Sequence, residues 1–325
     1  MKRKLAIGVD IGATTIKAGV VEFNVHAGKA DLLSQRKVDT LALNGPDSVK
    51  RQLFSVVNEL LSEFKNDEFA GIGIGTPGIV SLDGSIVKNP PNFADWKEIN
   101  LRKIVNDEYK LPVVIENDAN VAALGEAKFG AGIGQKDFLF VIWGTGVGGG
   151  IILDGKIYRG PHGGAGEIGH TTIDYKGHLC NCGNRGCIES YIGQRYLSER
   201  SRLKLQQMPE NTPPSKIIEL VHGNLDLIEP YIISVAAEQG DSFAKEILSE
   251  AGNLLGVSIA SIFNVLDLRL AIIGGGISAA GEYVFDEIGK SVQGRVLKST
   301  KPDVRIIPAE LGNTAGMLGT ASLVM

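Results

Sequence analysis

The chain has 325 residues, of which 43% are hydrophobic and 22% charged, with a net charge of −4. That length suits two domains with cores of their own. The weakly acidic balance and the absence of a basic run argue against a nucleic-acid partner. Glycine is over-used, at 42 residues against an expectation of about 7%. No run reaches the ~20 apolar residues that span a bilayer, and the basic start "MKRKLAIGVDIG" does not read as a signal peptide. Three cysteines, an odd number, point to the reducing cytoplasm.

In chain order, residues 4–23 read as two β-branched strands joined by a Gly-Ala-Thr-Thr turn. Residues 47–65 form an amphipathic helix, with Val49, Leu53, Val56, Val57, Leu60, Leu61 and Phe64 at helical spacing. "FAGIGIGTPGIV" is a buried strand ending in a turn, and the Asp-Gly of "SLDGSIV" signals a hairpin. "PVVIENDANVAALGEAKFGAG" passes from strand to helix, with Asn117 or Asp118 suited to cap it. From 138 the pattern recurs: "FLFVIWGTGVGGGIILDGKIY" echoes 5–22, and "LRLAIIGGGIS" (268–278) echoes "FAGIGIGTPGI". Two related α/β domains facing a cleft are expected. Residues 200–250 are more polar and helical, and "PENTPP" (209–214) is a surface interruption.

Two segments satisfy G-x-G-x-x-G, Gly73-Gly75-Gly78 and Gly144-Gly146-Gly149, but strand-like sequence follows both where a dinucleotide fold needs a helix. No P-loop motif exists. The better reading is a pair of hairpin turns that grip phosphates through backbone N–H groups. Asp10, Gly12 and Thr14 form one; Gly144, Thr145 and Gly146 form the other; Gly274, Gly275 and Gly276 follow a further buried strand. Glycines let the backbone approach closely, and the threonine hydroxyls can donate to phosphate oxygens. Asp10 would repel a bare phosphate, so it implies an intervening Mg2+, through water. Taken singly, each such turn is more often only a turn; the two together, with Gly274 to Gly276, point to a nucleotide cleft.

"HLCNCGNRGCIES" holds Cys180, Cys182 and Cys187 within eight positions. Thiolates so spaced suit Zn2+, which takes four S or N ligands. Histidines His162, His170 and His178 are candidates for the fourth. His178 would crowd three ligands onto one strand, so geometry mildly favours His170. Four protein ligands leave no place for water, which makes the zinc structural.

At this point the residues match a known family. The chain resembles the ROK family of sugar kinases, especially its ATP-dependent glucokinases. "GVDIGATTIKAG", "GIGTPG", "ENDANVAALGE", "GTGVGGGIILDG", "GGAGEIGH", "CNCGNRGCIES" and "AIIGGGIS" occur in family order over essentially the whole chain. The resemblance implies an actin-like, hexokinase-like (ribonuclease H-like) two-domain α/β fold with a cleft and a structural zinc site. The expected division is an N-terminal domain over 1–116, completed by a helix over 312–325, and a second domain over 117–311 with its zinc loop at 170–187. His170 becomes the fourth zinc ligand, with its other ring nitrogen on a sugar hydroxyl, and His178 a bystander. Asn92, Asn117, Asp118, Glu167, His170 and Glu189 match the family's sugar contacts, although Asn117 or Asp118 would serve equally as a plain helix cap.

The implied reaction is transfer from Mg-ATP to a hexose primary hydroxyl, with Asp118 as base. Asp10 would be the Mg2+ partner, the Thr14 and Thr145 turns would hold phosphates, and Gly274 to Gly276 would let the nucleoside lie close. Domain closure to exclude water is expected. Glucose is the first choice among sugars. N-acetylmannosamine or N-acetylglucosamine kinases and fructokinases share the motifs, polyphosphate remains an alternative donor, and a non-catalytic sugar sensor is the more distant reading. Relatives are dimers or tetramers, and neither nucleic acid nor membrane is implied as a partner.

Overall fold

The computed structural model describes residues 4–24, 29–209, 213–277 and 281–325. The chain start at 1–3, part of the 209–214 interruption and Ser278 lie outside the described residues. The chain opens with β1 (Lys4–Ile11), β2 (Thr15–Asn24), β3 (Lys29–Asp39), α1 (Pro46–Glu63) and β4 (Glu68–Thr76). Short strands β5 (Ile79–Val80), β6 (Val87–Lys88) and β7 (Glu98–Ile99) lead to α2 (Leu101–Tyr109), β8 (Val113–Asn117) and α3 (Asp118–Phe129). Then come β9 (Phe138–Trp143), β10 (Val147–Leu153), β11 (Lys156–Ile157), α4 (Glu189–Ile192), α5 (Gln194–Gln206), α6 (Lys216–Leu220) and α7 (Pro230–Glu238). The last elements are α8 (Ser242–Leu266), β12 (Leu270–Gly274), α9 (Glu282–Arg295), β13 (Arg305–Pro308) and α10 (Ala315–Ala321).

Two five-stranded sheets share one plan, β3-β2-β1-β4-β8 and β11-β10-β9-β12-β13. In the first, β1 and β2 are antiparallel, while β4 and β8 add in parallel. In the second, β9, β12 and β13 are parallel. The echo between residues 5–22 and 138–157 is therefore a shared strand order. Parallel neighbours need crossovers, and α1, α2 and α9 are among the helices that provide them.

By contacts the chain divides into two compact units. The first takes Met1–Lys136, Gly150–Gly166 and Glu310–Met325, and the second Asp137–Gly149 and Glu167–Ala309. The expected boundary at 116/117 does not coincide with this division. Helix α3 packs on α10 and β4 and so stays with the first sheet, and the segment around β11 packs on α3. The C-terminal stretch expected as one helix is α10 with a 3-10 turn at either end, and it belongs to the first unit.

In the first unit the alternation along β1 sorts the two faces. Leu5, Ile7, Val9 and Ile11 join Val49, Leu53, Val56, Val57 and Leu60 of α1 in the core. Pro46 at the first position of α1 suits a helix start. Ala6, Gly8 and Asp10 alternate with those residues and turn to the opposite face, where Leu318 and Ala321 of α10 pack with Ala6. The approach there is backbone to backbone: a Cβ on Gly8 would lie 2.0 Å from the Met317 carbonyl oxygen, and one on Gly73 1.8 Å from that of Thr320. In the second unit α8 buries Ala244, Ile247, Leu248, Ala251, Leu255, Ile259 and Phe263 at helical spacing, and α9 is its main neighbour. Among the described residues it is the one helix long and apolar enough to cross a membrane, and over half of that stretch is buried inside the protein.

Candidate functional site

Strand pairing brings Asp10, Asn117 and Asp118 of the first unit to one end of its sheet. Gly75 of β4 pairs with Asp10 of β1 on one side and with Glu116 of β8 on the other, and Thr76 pairs with Asn117. Asp10 and the Asn117–Asp118 pair therefore stand at the carboxyl ends of neighbouring parallel strands, where open α/β sheets bind ligands. The β1–β2 turn carries Gly12 and the exposed Thr14. Its backbone closes through Gly12 N–H to the Thr15 carbonyl (2.9 Å). Buried Thr40 clamps it from β3's end, its N–H donating to the Thr14 carbonyl (2.9 Å) and its hydroxyl to that of Gly12 (2.6 Å). Burial raises the pKa of Asp10, opposed by the charge of Lys17 across the hairpin. A desolvated carboxylate of this kind gains most from a nearby cation.

Of the two candidate caps, Asn117 is the one used. Its Oδ1 accepts from the N–H groups of Ala119 (3.0 Å) and Asn120 (3.2 Å), and its Nδ2 donates to the Gly78 carbonyl (3.2 Å). Asp118 is thereby the first residue of α3, where the helix dipole favours an anion, and its Oδ1 accepts from the Ala119 N–H at 2.9 Å. Asn92 is exposed in the 89–95 loop with φ +66°, a left-handed conformation that asparagine tolerates. Phe93 and Trp96, edge to face at 5.6 Å, anchor that loop in the core.

Both G-x-G-x-x-G segments run into strands, β5 and β10, so neither meets a helix as a dinucleotide site would require. In the second unit Gly144–Gly146 follow β9 and Gly274–Gly276 follow its parallel neighbour β12. Gly275, at φ +97°, brings its Cα close to the Trp143 carbonyl. The Thr145 turn is held from one direction. The carbonyls of Gly144 and Thr145 both accept from the Gln194 N–H at 3.2 Å, and the Thr145 hydroxyl donates to Gln194 Oε1 at 3.5 Å. Glu189 Oε2 accepts from the Val147 N–H at 2.9 Å. A Cβ on Gly146 would lie 2.3 Å from that same oxygen.

Glu189 sits two residues beyond Cys187, and the cysteine loop is itself laced by backbone pairing. Thr172 bridges Cys187 and Leu179 bridges Arg185, both antiparallel, while Cys180 N–H donates to the Asn184 carbonyl (2.8 Å). That folding brings His170, Cys180, Cys182 and Cys187 together, with one ligand atom from each within 4.8 Å of the others. Cys182 Sγ is 3.6 Å from Cys187 Sγ, and Cys180 Sγ is 3.9 Å from His170 Nδ1. Around a tetrahedral metal at about 2.3 Å from sulfur the edges come to about 3.8 Å, so the donor set fits. Burial pushes the Cys187 thiol up to about 12 and also raises Cys180, whereas the Asn184 backbone lowers Cys182. Two buried thiols become ligands only with a cation between them.

His162 and His178 are not in the cluster; the His178 ring lies 4.8 Å from that of Tyr191. Because Nδ1 faces the thiols, His170 keeps Nε2 for another partner. Desolvation and the charge of Glu189 raise the pKa of Glu167, while His170 lowers it.

Sequence reasoning missed four residues that build these turns: Thr40, Gln194, Glu116 and Arg159. For Glu116 a signal was present, a charge closing the apolar run "PVVIE". It is buried, and its carboxylate is bonded on both oxygens, the second to Arg159.

The chain is similar to known proteins over nearly its whole length. The model of the ROK family matches residues 6–325. A glucokinase of Streptomyces coelicolor is 37% identical over 320 residues, covering 98% of this chain and 97% of that protein. A xylose repressor of Caldicellulosiruptor bescii is 30% identical over 98% of this chain and 77% of its own length. Among solved structures, a ROK family glucokinase from Streptomyces griseus in complex with glucose and AMPPNP superposes with a TM-score of 0.83, at 37% identity and 98% of both chains. With both glycine turns, the Glu-Asn-Asp turn and the cysteine loop inside that match, the chain belongs to the ROK family.

Proposed function

We propose that this protein is a glucokinase, transferring the γ-phosphoryl group of ATP to the primary hydroxyl of glucose. The observation that carries the reading is Asp118. The Asn117 cap fixes it at the first turn of α3, on the strand edge that also holds Asp10. A carboxylate so placed accepts the hydroxyl proton as the oxygen attacks phosphorus. Phosphoryl transfer then asks for positioning and charge neutralisation.

Within the first unit, Asp10, Gly12 and Thr14 are assigned to phosphate and Asn92, Asn117 and Asp118 to sugar. Within the second, Gly144, Thr145, Gly146 and Gly274 to Gly276 are assigned to ATP and Glu167, His170 and Glu189 to sugar. Mg2+, when bound, neutralises phosphate charge, and the raised pKa of Asp10 suits it to face that cation through water. Zn2+ on His170, Cys180, Cys182 and Cys187 supplies a rigid cross-link, which holds the imidazole in one orientation. His170 then turns Nε2 to a sugar hydroxyl. Glu167, when protonated, donates a hydrogen bond; when ionised, it accepts one.

The xylose repressor match supports one second reading, a sugar sensor without turnover. An ADP-release assay with Mg-ATP decides. It takes glucose, N-acetylglucosamine, N-acetylmannosamine, fructose and mannose, beside Asp118→Asn. Turnover of glucose that falls about 100- to 10,000-fold in the variant is expected for loss of a general base. Sugar binding without ADP release would install the sensor instead, and turnover of a different sugar would correct the substrate.

A further inference from the structure

Glu116 is the last strand residue before the Asn117–Asp118 pair and is 3% exposed. Its Oε1 accepts from the backbone N–H of Asn117 (2.9 Å) and from Nδ2 of Asn120 (3.0 Å). Its Oε2 takes the Nε–H of Arg159 at 2.5 Å. One carboxylate thus grips the residue before Asp118 and the residue two after it. Asn120 has no freedom in this. Its Oδ1 is buried without a hydrogen-bond partner, and turning the amide over would set that oxygen against the carboxylate. Keeping an unsatisfied acceptor buried is costly, so the Asn120–Glu116 contact is maintained against a penalty.

Arg159 reaches Glu116 from the segment after β11, and its own carbonyl accepts from the Ala165 N–H (3.1 Å). A carboxylate at 3% exposure left without a counter-charge would be strongly destabilising, and the Arg159 guanidinium supplies that counter-charge. Apolar residues could fill the same space without the cost of burying two charges. They could not accept the Asn117 and Asn120 protons.

We propose that Glu116 and Arg159 are a positioning pair that sets the orientation of Asn117 and Asp118 for the reaction. This rests on the reading of Asp118 as the base. The pair touches no substrate, and its effect passes through the turn it holds. An error of about 1 Å in a reacting group can lower a rate about a hundredfold, so the expected signature is in kcat.

The test compares Arg159→Met, Arg159→Lys and the isosteric double variant Glu116→Met with Arg159→Met, by glucose turnover and thermal melting, beside Asp118→Asn. The double variant is expected to fold but to melt below the wild type, because the Asn117 N–H and the buried Asn120 Nδ2 lose their acceptor. Its kcat should drop about ten- to a hundredfold with the KM for ATP within about twofold, since the phosphate turns are untouched. Arg159→Lys should keep more kcat than Arg159→Met. Wild-type kcat in the double variant would reduce the pair to an ordinary ion pair and overturn the proposal. Should the double variant not fold, the single changes at half-exposed Arg159 decide by the same split: equal kcat in wild type and Arg159→Met overturns it.

If Asp118→Asn keeps full activity, the base reading falls separately. Amide exchange in Arg159→Met then judges the pair. Faster exchange confined to residues 117–120 upholds its hold on the turn, and unchanged exchange refutes it.

Discussion

The turn between β1 and β2 closes on backbone and on one threonine, Thr40, supplied by the same sheet. The turn between β9 and β10 follows the same strand plan but closes on Glu189 and Gln194, which arrive from the far side of the cysteine loop. Two glycine-rich hairpins that read alike in sequence therefore depend on different parts of the molecule. The first stands with its own sheet. The second is only as well placed as the loop that carries Cys187 two residues before Glu189. A metal that tied this loop together would therefore fix the turn proposed to hold phosphate as well as Glu167 and His170, which are proposed to face the sugar.

The largest expected effect separates the two turns by removing one ligand. Cys187→Ser leaves an incomplete ligand set, and structural zinc sites supply roughly 10 kcal/mol or more of local folding free energy. We expect zinc content to fall below one equivalent and kcat/KM to drop at least about a hundredfold, the upper end for disturbing the supports of a metal site. Amide exchange should rise at 144–147 and throughout 171–190 while staying unchanged at 10–15. Equal loosening of both turns would break the comparison.

A finer cut uses one methyl group on each turn. A Cβ at Gly146 would meet Glu189 Oε2 at 2.3 Å, and the easy escape is for that flexible carboxylate to swing away. Doing so forfeits its bond to the Val147 N–H, worth about 1 kcal/mol. At Gly12 a Cβ meets only the Thr15 carbonyl, at 3.2 Å, so a shift of a few tenths of an ångström suffices. Gly146→Ala should therefore lose about 1–2 kcal/mol in chemical denaturation and Gly12→Ala less than about 1 kcal/mol. A larger loss at Gly12 would mean that the first turn is the more tightly built.

What was legible in the sequence shares a physical character. Both hairpins, the cysteine cluster and the strand-to-helix step at Asn117 are local patterns, visible in spacing over twenty residues or fewer. The alignment of Asp10, Gly75 and Glu116 across three strands was not legible, because register joins residues far apart in the chain. The same holds for Glu126. It is fully buried and accepts the backbone N–H groups of Ala131, Glu310 and Leu311, the last two more than 180 residues away. The unit to which helix α3 belongs was hard to read for a related reason. Residues Ala119 to Glu126 are all buried, so the helix has no polar face to tell which sheet it covers. Arg159 gave no signal of its own, since an arginine after a short strand is ordinarily solvated.

The smallest effect concerns the one carboxylate that the first turn has and the second lacks. Burial raises the pKa of Asp10 above its ordinary value of 3.8, with Lys17 opposing. The folded protein then holds that proton more tightly than the unfolded chain does. The sign follows: the contribution of Asp10 to stability falls as pH rises above about 3.8, and at neutral pH the buried group costs stability. Asp10→Asn removes that cost, so the ligand-free variant should melt higher than the wild type at pH 7. The gain should shrink toward zero as the pH is lowered below 3.8. Turnover should fall at the same time, because the group that weakens the apo fold is the one assigned to the phosphate-bound cation. Melting curves from pH 3 to 8 on both proteins check it. A variant less stable at pH 7 would mean that Lys17 already repays the burial, and the carboxylate would then be a structural member of its turn, as Glu189 is of the other.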